Sequence, residues 1–359
     1  MIEYNNSFII GGQIILKKNK KIFKKIVFFI ISLSLISFIS IFLNKGIYRH
    51  TNFTLLEKTI PTDKCDIDIM NGFKKVSLNM NLDEVVCLVG KPSRIDDSEY
   101  GFKWYVYNQY KKTFFMVGID KEKVVGIYSN THYNNHLDDI TFDKNREYIT
   151  ANHSSIDYIP GRNIKVNRKN KDEYDILKKH NYYITVFYDT YDGNKISSYE
   201  LIKSKYKKNI VDDFYTNDNL KNSSYYNKQL KNSFELQMYD LINSTREKHG
   251  LNKLSYDKEN AHNSAKMHAY DMMVNNYFAH DNLKGETPFD RMDMCGVEYT
   301  LGGENLAGGQ FSPIYAHEAL MNSEGHRKNI LNAYYNSIGI GIEFGGELDT
   351  YYVENFYRN

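Results

Sequence analysis

The sequence predicts an α+β protein with two domains behind an N-terminal transmembrane helix. Three observations lead there. Residues 26–43, IVFFIISLSLISFISIFL, form a run of 18 residues without a charge, about enough to span a bilayer's hydrocarbon layer as a helix. Residues 70–205 carry short runs of alternating side chains separated by turn residues, the pattern of strands. The last third sets apolar residues at helical spacing, interrupts them with a glycine-rich run and closes on a strand-like GIGIEF. At 359 residues the chain can hold two or three domains, each with its own core.

Residues 1–25 read as a basic leader ending in Lys17, Lys18, Lys20, Lys21, Lys24 and Lys25, whereas only Lys45 and Arg49 follow the apolar run closely. The positive-inside rule puts the leader in the cytoplasm and everything after residue 43 outside. The rival reading, a cleaved signal peptide, lacks a small-x-small cleavage word and has too long a leader. The expected location is therefore the cell membrane, single-pass, with the later domains extracellular. Residues 44–69 read as a spacer.

Within 70–205, MNLDEVVCLVGKP predicts a short helix. Leu82, Val85, Val86 and Val89 share a face, Gly90 stops it and Pro92 prevents its continuation. FKWYVY then places Phe102, Trp104 and Val106 on one side of a strand, and TFFMVGI and KVVGIYSN predict two more. Asp192-Gly193 between strand-like runs signals a hairpin. The basic run KVNRKNKDEYDILKKH reads as a solvated helix face, and residues 206–231 as a polar linker.

In residues 232–359, Phe234, Met238, Leu241 and Ile242 predict a helix ended by His249-Gly250. A second runs from about residue 256 to 276 on Ala261, Ala265, Ala269, Met272 and Met273; His262 and His268 ride on it, and His268 either reaches a cavity or, the favoured reading, is a helix-surface or satisfied core histidine. Thr287-Pro288 and Ser312-Pro313 open further helices, and SEGHRKNIL begins the last. GIGIEFG is no dinucleotide fingerprint, since its third glycine is misplaced and no helix follows. It predicts a strand paired with TYYVENFY.

A net charge of +2 gives no argument for nucleic acid. Cys65, Cys87 and Cys295 are odd in number and show no C-x-x-C spacing, so no disulfide framework is expected. Cys87 reads as a small buried apolar residue.

Three side chains concentrate the chemistry: His280 in YFAH, Glu304 in GGENLAGG and His326 in SEGHRKNIL. Two imidazoles and a carboxylate that converge make a metal site or an acid/base group. The words YFAH, GGENLA and SEGHRKNIL, in this order, resemble the CAP superfamily of cysteine-rich secretory, antigen 5 and plant pathogenesis-related proteins. The likeness is closest to the bacterial sperm-coating-protein-like members and covers residues 232–358. It implies a three-layer α-β-α sandwich and a cavity of two histidines and two acids, assigned by the motifs to His280, His326 and Glu304. The second acid is Glu324, in the motif, or Glu318 on the preceding helix. Leu320 stands where many relatives have Trp. Residues 70–205, through LDEVV, LVGKPSRI and EYGFKWYVYN, resemble the CAP-associated domain that precedes such modules in some Gram-positive bacteria.

Two neutral imidazoles, His280 and His326, can hold Zn2+ with water in the remaining positions, and Glu304 can bind the metal or orient that water. Glu304 and Glu324 are then the residues of any acid/base step. The apo alternative is a hydrogen-bonded cluster that stabilises a cleft. Ser323 raises a serine–histidine option, but no nucleophile elbow surrounds it, and a Ser at a helix start is usually a cap. The expectation is a non-catalytic module at the cell envelope, acting on a wall, lipid or protein ligand. A metal-assisted, peptidase-like hydrolase is the alternative.

Overall fold

The structure is a computed structural model that describes residues 65, 67–110, 113–131, 139–156, 173–207 and 228–359. The expected membrane span at 26–43 lies outside the described residues. Among those described, no helix is long and apolar enough to cross a membrane.

The first half builds a seven-stranded antiparallel sheet. Its strands are β1 (Arg94–Asp97), β2 (Lys103–Tyr110), β3 (Thr113–Asp120), β4 (Lys123–Ser129), β5 (Tyr174–Lys178), β6 (Tyr182–Asp189) and β7 (Lys195–Lys203), ordered β1-β2-β3-β4-β7-β6-β5. Helices α1 (Ile69–Phe73), α2 (Leu82–Val89) and α3 (Arg146–Asn152) accompany it. The helix predicted from LDEVV is α2. Its start is held by the Glu84 carboxylate, which accepts from Asn81 N at 2.8 Å, and its end by Gly90 at φ 77°, where only a residue without a Cβ sits easily. The Asp192-Gly193 turn joins β6 to β7 as expected.

Alternation in β2 does not separate apolar from polar, because both faces are buried. Tyr107 joins Phe115, Val117 and Val85 and Val89 of α2 on one face. Trp104 and Val106 join Phe114 and Met116 on the other, packed with Leu241, Ile314 and Tyr315 from the C-terminal half. Buried polar pairs cross the same seam. Arg94 Nη2 donates to Asp240 Oδ2 at 2.7 Å. Lys207 Nζ lies 2.7 Å from Glu200 Oε2 and 2.8 Å from Tyr315 OH.

The C-terminal half has the three layers expected. Its sheet is ordered β8-β10-β11-β9, from β8 (Ser255–Tyr256), β9 (Leu301–Gly308), β10 (Ser337–Phe344) and β11 (Thr350–Arg358). Helices α4 (Lys228–Lys248), α7 (Pro313–Met321) and α8 (Glu324–Ile330) cover one face, where Phe234, Ala316 and Ile330 meet Ile340, Tyr352 and Phe356. Helices α5 (Asn260–Asn275) and α6 (Pro288–Met294) cover the other. There Ala265, Ala269 and Met272 meet Leu306 and Val353, and Ala261 and Met292 meet Tyr357. The glycines of GIGI set the depth of α5: a Cβ on Gly339 would stand 2.1 Å from Ala261 C, and one on Gly341 2.2 Å from Lys266 N.

Four expectations are corrected. Cys65 and Cys87 form a disulfide, 22 residues apart with a Cα–Cα distance of 4.9 Å. Spacing that excludes a redox motif does not exclude a lone bridge between a pre-helical segment and α2. The basic run read as a helix face ends in strand β5, because Ile176 and Leu177 are buried in the sheet. Tyr256 belongs to β8, and α5 starts at Asn260. Lys207, read as linker, is buried against Glu200.

Gly341→Ala should lower stability by about 1–3 kcal/mol, the usual range for overpacking a closed contact, measured by urea unfolding. An unchanged midpoint would contradict the packing of α5 on β10.

Candidate functional site

Glu304 sits on β9, opposite Asn355 of β11, with its side chain 1 % exposed. Burying a carboxylate is costly unless it is paired and hydrogen-bonded. The cation is Arg291 of α6, whose Nη2 donates to Glu304 Oε2 at 2.8 Å while Nη1 donates to Glu286 O at 2.8 Å. His280 Nδ1 lies 3.0 Å from Glu304 Oε1. In its satisfying orientation the Asn355 amide donates to Glu304 Oε2 at 3.1 Å and accepts from Ser264 Oγ at 3.1 Å. A carboxylate can only accept, so Nδ1 of His280 carries hydrogen and its Nε2 is left with a lone pair in the neutral ring.

The loop carrying His280 is fixed from behind. Asn276 turns the chain out of α5 in the left-handed conformation, φ 52°. His268, buried on α5, lies with Nε2 2.9 Å from Ala279 O. The carbonyl can only accept, so the ring donates there, and burial lowers its pKa and keeps it neutral. His268 thus holds the YFAH loop through one ring nitrogen, its buried Nδ1 having no hydrogen-bond partner among the described residues, and His262 bonds Ile340 O through Nδ1 at 2.7 Å.

His326 comes from α8. Its Nδ1 lies 2.8 Å from Ser323 Oγ, and Ser323, although at the N-cap position, makes no side-chain cap bond. Its hydroxyl serves the imidazole instead of capping the helix. The backbone of His326 is tied to β9: Asn305 Nδ2 donates to His326 O at 3.2 Å and to Glu354 Oε2 at 3.0 Å. Asn329 Nδ2 donates to Asn305 Oδ1 at 2.9 Å and to Glu304 O at 3.2 Å. Neighbouring residues of one strand therefore hold both histidines by their side chains, Glu304 at the His280 ring and Asn305 at the backbone carbonyl of His326. Glu354 is fully buried, which pushes its carboxyl up to about 8 and keeps it protonated at neutral pH.

The two rings feel each other. The Glu304 carboxylate raises the pKa of His280 through its hydrogen bond. Burial and then the neighbouring His280 lower that of His326. The acids put forward for the second position go elsewhere. Glu324 is 69 % exposed and holds Lys328, Oε1 to Nζ 2.6 Å. Glu318 is buried where α7 meets the sheet of the first half, and accepts there from Ser197 Oγ at 2.7 Å. Leu320 is buried in the core between α7 and the sheet. Among the described residues no three His, Cys, Asp or Glu side chains form a group that could hold a metal ion.

The first half of the chain reaches the same segment. Arg327, next to His326, makes a two-pronged contact with Asp189 at the end of β6, Nη1–Oδ1 3.0 Å and Nη2–Oδ2 2.8 Å. Asn322 Nδ2 donates to Tyr188 O at 2.8 Å, and its Oδ1 accepts from Thr190 N at 2.9 Å. The turn between α7 and α8, which presents Ser323 and His326, is thus clamped by the seven-stranded sheet.

Sequence reasoning missed Arg291, Asn355 and Asp189. A signal for one of them existed: the dipeptide Glu-Asn occurs in both GGENLAGG and TYYVENFY. Antiparallel pairing puts Glu304 opposite Asn355 and Asn305 opposite Glu354.

Residues 78–210 match the CAP-associated N-terminal family model and residues 239–356 the cysteine-rich secretory protein family model. The chain is 30 % identical over 292 residues to the uncharacterized membrane protein YlbC of Bacillus subtilis (strain 168), covering 78 % of this chain and 82 % of that one. An extracellular protein containing a SCP domain from Bacillus anthracis str. Ames superposes with a TM-score of 0.66 at 26 % identity, over 79 % of this chain and 94 % of that one. A cysteine-rich secretory protein from Staphylococcus aureus subsp. aureus Mu50 shares the fold, with a TM-score of 0.60 at 20 % identity, over 79 % and 91 %.

Two predictions follow from the geometry. In an NMR titration His280 should protonate above the ordinary histidine value of about 6.5 and His326 below it; Glu304→Gln should bring His280 down. Because His280 is raised by its partner, the stability it contributes is full below its unfolded value and is lost as pH rises through the folded one. A higher pKa for His326 than for His280 would contradict the arrangement. Asp189→Asn should cost about 1–3 kcal/mol in unfolding experiments and move the amide signals of Ser323 and His326 while leaving those of His280 in place. Unmoved Ser323 and His326 signals would show that the clamp does not position them.

Proposed function

The chain belongs to the CAP superfamily, with a CAP-associated domain ahead of its CAP domain, and on that premise we propose a role outside the membrane. In this reading it is a membrane-anchored protein of the cell envelope. It binds a wall, lipid or protein ligand at the His280–His326 cleft, with Zn2+ as the metal of that site, and carries out no catalysis. The observation that carries the reading is the pair of supports behind the imidazoles. A metal-binding histidine usually gives its second ring nitrogen to a carboxylate or other acceptor, as His280 does to Glu304 at 3.0 Å and as His326 can to Ser323 at 2.8 Å. That leaves the Nε2 atoms of His280 and His326 as the ligands.

Two nitrogens are fewer than a structural zinc site uses. The fit is to an open site whose remaining positions take water or donors from the bound ligand. When bound, the ion supplies a Lewis acid to which a ligand oxygen can attach. The chain's own residues orient the rings, and Arg291 holds the charge of Glu304. That last contact argues for binding over hydrolysis. Both oxygens of Glu304 are engaged, by His280 and by Arg291, and a general base needs one within reach of the proton it takes. Glu324, paired with Lys328 at the surface, is not placed to replace it.

Location outside the cytoplasm is supported by the Cys65–Cys87 disulfide, a bond that persists mainly in oxidising compartments. The name of the Bacillus subtilis relative and the extracellular Bacillus anthracis neighbour point the same way.

Equilibrium dialysis of the full-length chain with zinc should give saturable binding in the micromolar range. His280→Ala and His326→Ala should each abolish it, and Glu304→Gln should weaken it by roughly 10–100-fold. Full affinity in either histidine variant would remove that ring from the ligand set.

A further inference from the structure

A concave site lies in the seam between the sheet of the first half and helices α4 and α7. It is a cavity of about 210 Å3, and none of His280, Glu304 or His326 lines it. Most of its polar groups are already satisfied. Glu318 accepts from the hydroxyls of Ser197 and Ser198. Asp189 is taken by Arg327, and Asp192 by Lys195 at 3.0 Å. Both ends of the Asn322 amide are occupied by the β6–β7 turn.

Two of the lining side chains have donor capacity to spare. His317 is 2 % exposed; its Nε2 meets Thr245 Oγ1 at 2.8 Å, and its Nδ1 has no hydrogen-bond partner among the described residues. Lys248, in the last turn of α4, makes one hydrogen bond from Nζ, to Ser197 O at 3.1 Å, and no ion pair among the described residues. An ammonium has three hydrogens to give. Phe142 also lines the cavity, with its ring 5.8 Å from that ammonium, and Met321 adds a further apolar surface.

We propose that this cavity binds a small monocarboxylate, its carboxylate held by Lys248 and His317 and its apolar body lying on Phe142 and Met321. Charge decides the class. Lys248 is attracted by the Glu318 and Asp189 carboxylates but makes no ion pair with either; burial, the larger effect, pushes it down to about 8, and a bound anion in contact with its spare hydrogens would restore it. His317 stays neutral, burial holding it near 3, so its Nδ1 can carry the hydrogen that the second carboxylate oxygen accepts. A sugar would need several free acceptors, and the carboxylates and the Asn322 amide are already engaged. Size decides the rest. The volume is below the roughly 300–1,000 Å3 of pockets that take drug-sized molecules, so the occupant is a compact acid.

Benzoate is a suitable probe, titrated calorimetrically into the full-length chain. The expected result is saturable binding that His280→Ala leaves unchanged, which separates this site from the cleft. Lys248→Met should weaken binding at least roughly tenfold, the loss of one charge-assisted contact. Lys248→Arg, which keeps the cation, should stay within about threefold, and benzamide should bind at least roughly tenfold more weakly than benzoate. Absence of saturable benzoate binding, equal binding by Lys248→Met, equal affinity for benzamide, or tighter binding of glucose than of benzoate would each overturn the proposal.

Discussion

The contact on which the site depends is the buried carboxylate of Glu304, held between a guanidinium and an imidazole. Strand β9 carries it into the sheet, where a lone carboxylate would not stay ionised. Arg291 supplies the charge from α6 and His280 the hydrogen bond from the loop after α5. Each partner constrains an element: Arg291 draws α6 onto β9, and His280 pulls the YFAH loop over the sheet's edge. Asn355 across the strand and Asn305 next in sequence extend the same constraint to α5 and α8. The polar cluster is therefore part of what assembles the layers, and its presence alone is no sign of catalysis.

The second constraint is the burial of the seven-stranded sheet on both faces. Inter-domain contacts within a chain are often small and polar, which permits relative motion. Here the seam contains Trp104, Tyr100 and Tyr315 together with a fully buried Lys207–Glu200 pair. Breaking such a pair by separating its members strands a charge in an apolar setting, which is strongly unfavourable. The CAP-associated domain is accordingly fixed to the CAP domain, and through Asp189 and Thr190 it grips the turn that presents His326.

Much of this was legible in the residues. The α2 valines, the Thr287 and Ser312 helix starts, the helical faces of α4 and α5 and the GIGI–YYVENF pairing all follow from local periodicity and capping. Those signals are short-range and survive into the fold. The motifs singled out His280, Glu304 and His326, and the structure brings those three residues to one strand edge. What was not legible is long-range. Arg291 looks like any surface arginine of an amphipathic helix until β9 lies beside it. Glu318 and Glu324 are both near the motif, but helix rotation sends one into the inter-domain seam and the other into solvent. Lys207 reads as linker because composition reports polarity and not the neighbour that neutralises it. Cys65 and Cys87 carry no spacing rule, since a lone disulfide is set by where two chains cross.

The central claim is that two imidazoles, backed by Glu304 and Ser323, face one ion. Anomalous scattering at the zinc edge, from crystals of the protein grown with zinc, tests it directly. The account predicts a single strong peak in the cleft, about 2.0–2.1 Å from Nε2 of both His280 and His326, with Glu304 still bonded to His280 Nδ1 and to Arg291. A peak bound to Glu304 itself, or one reached by only one of the two rings, would contradict it.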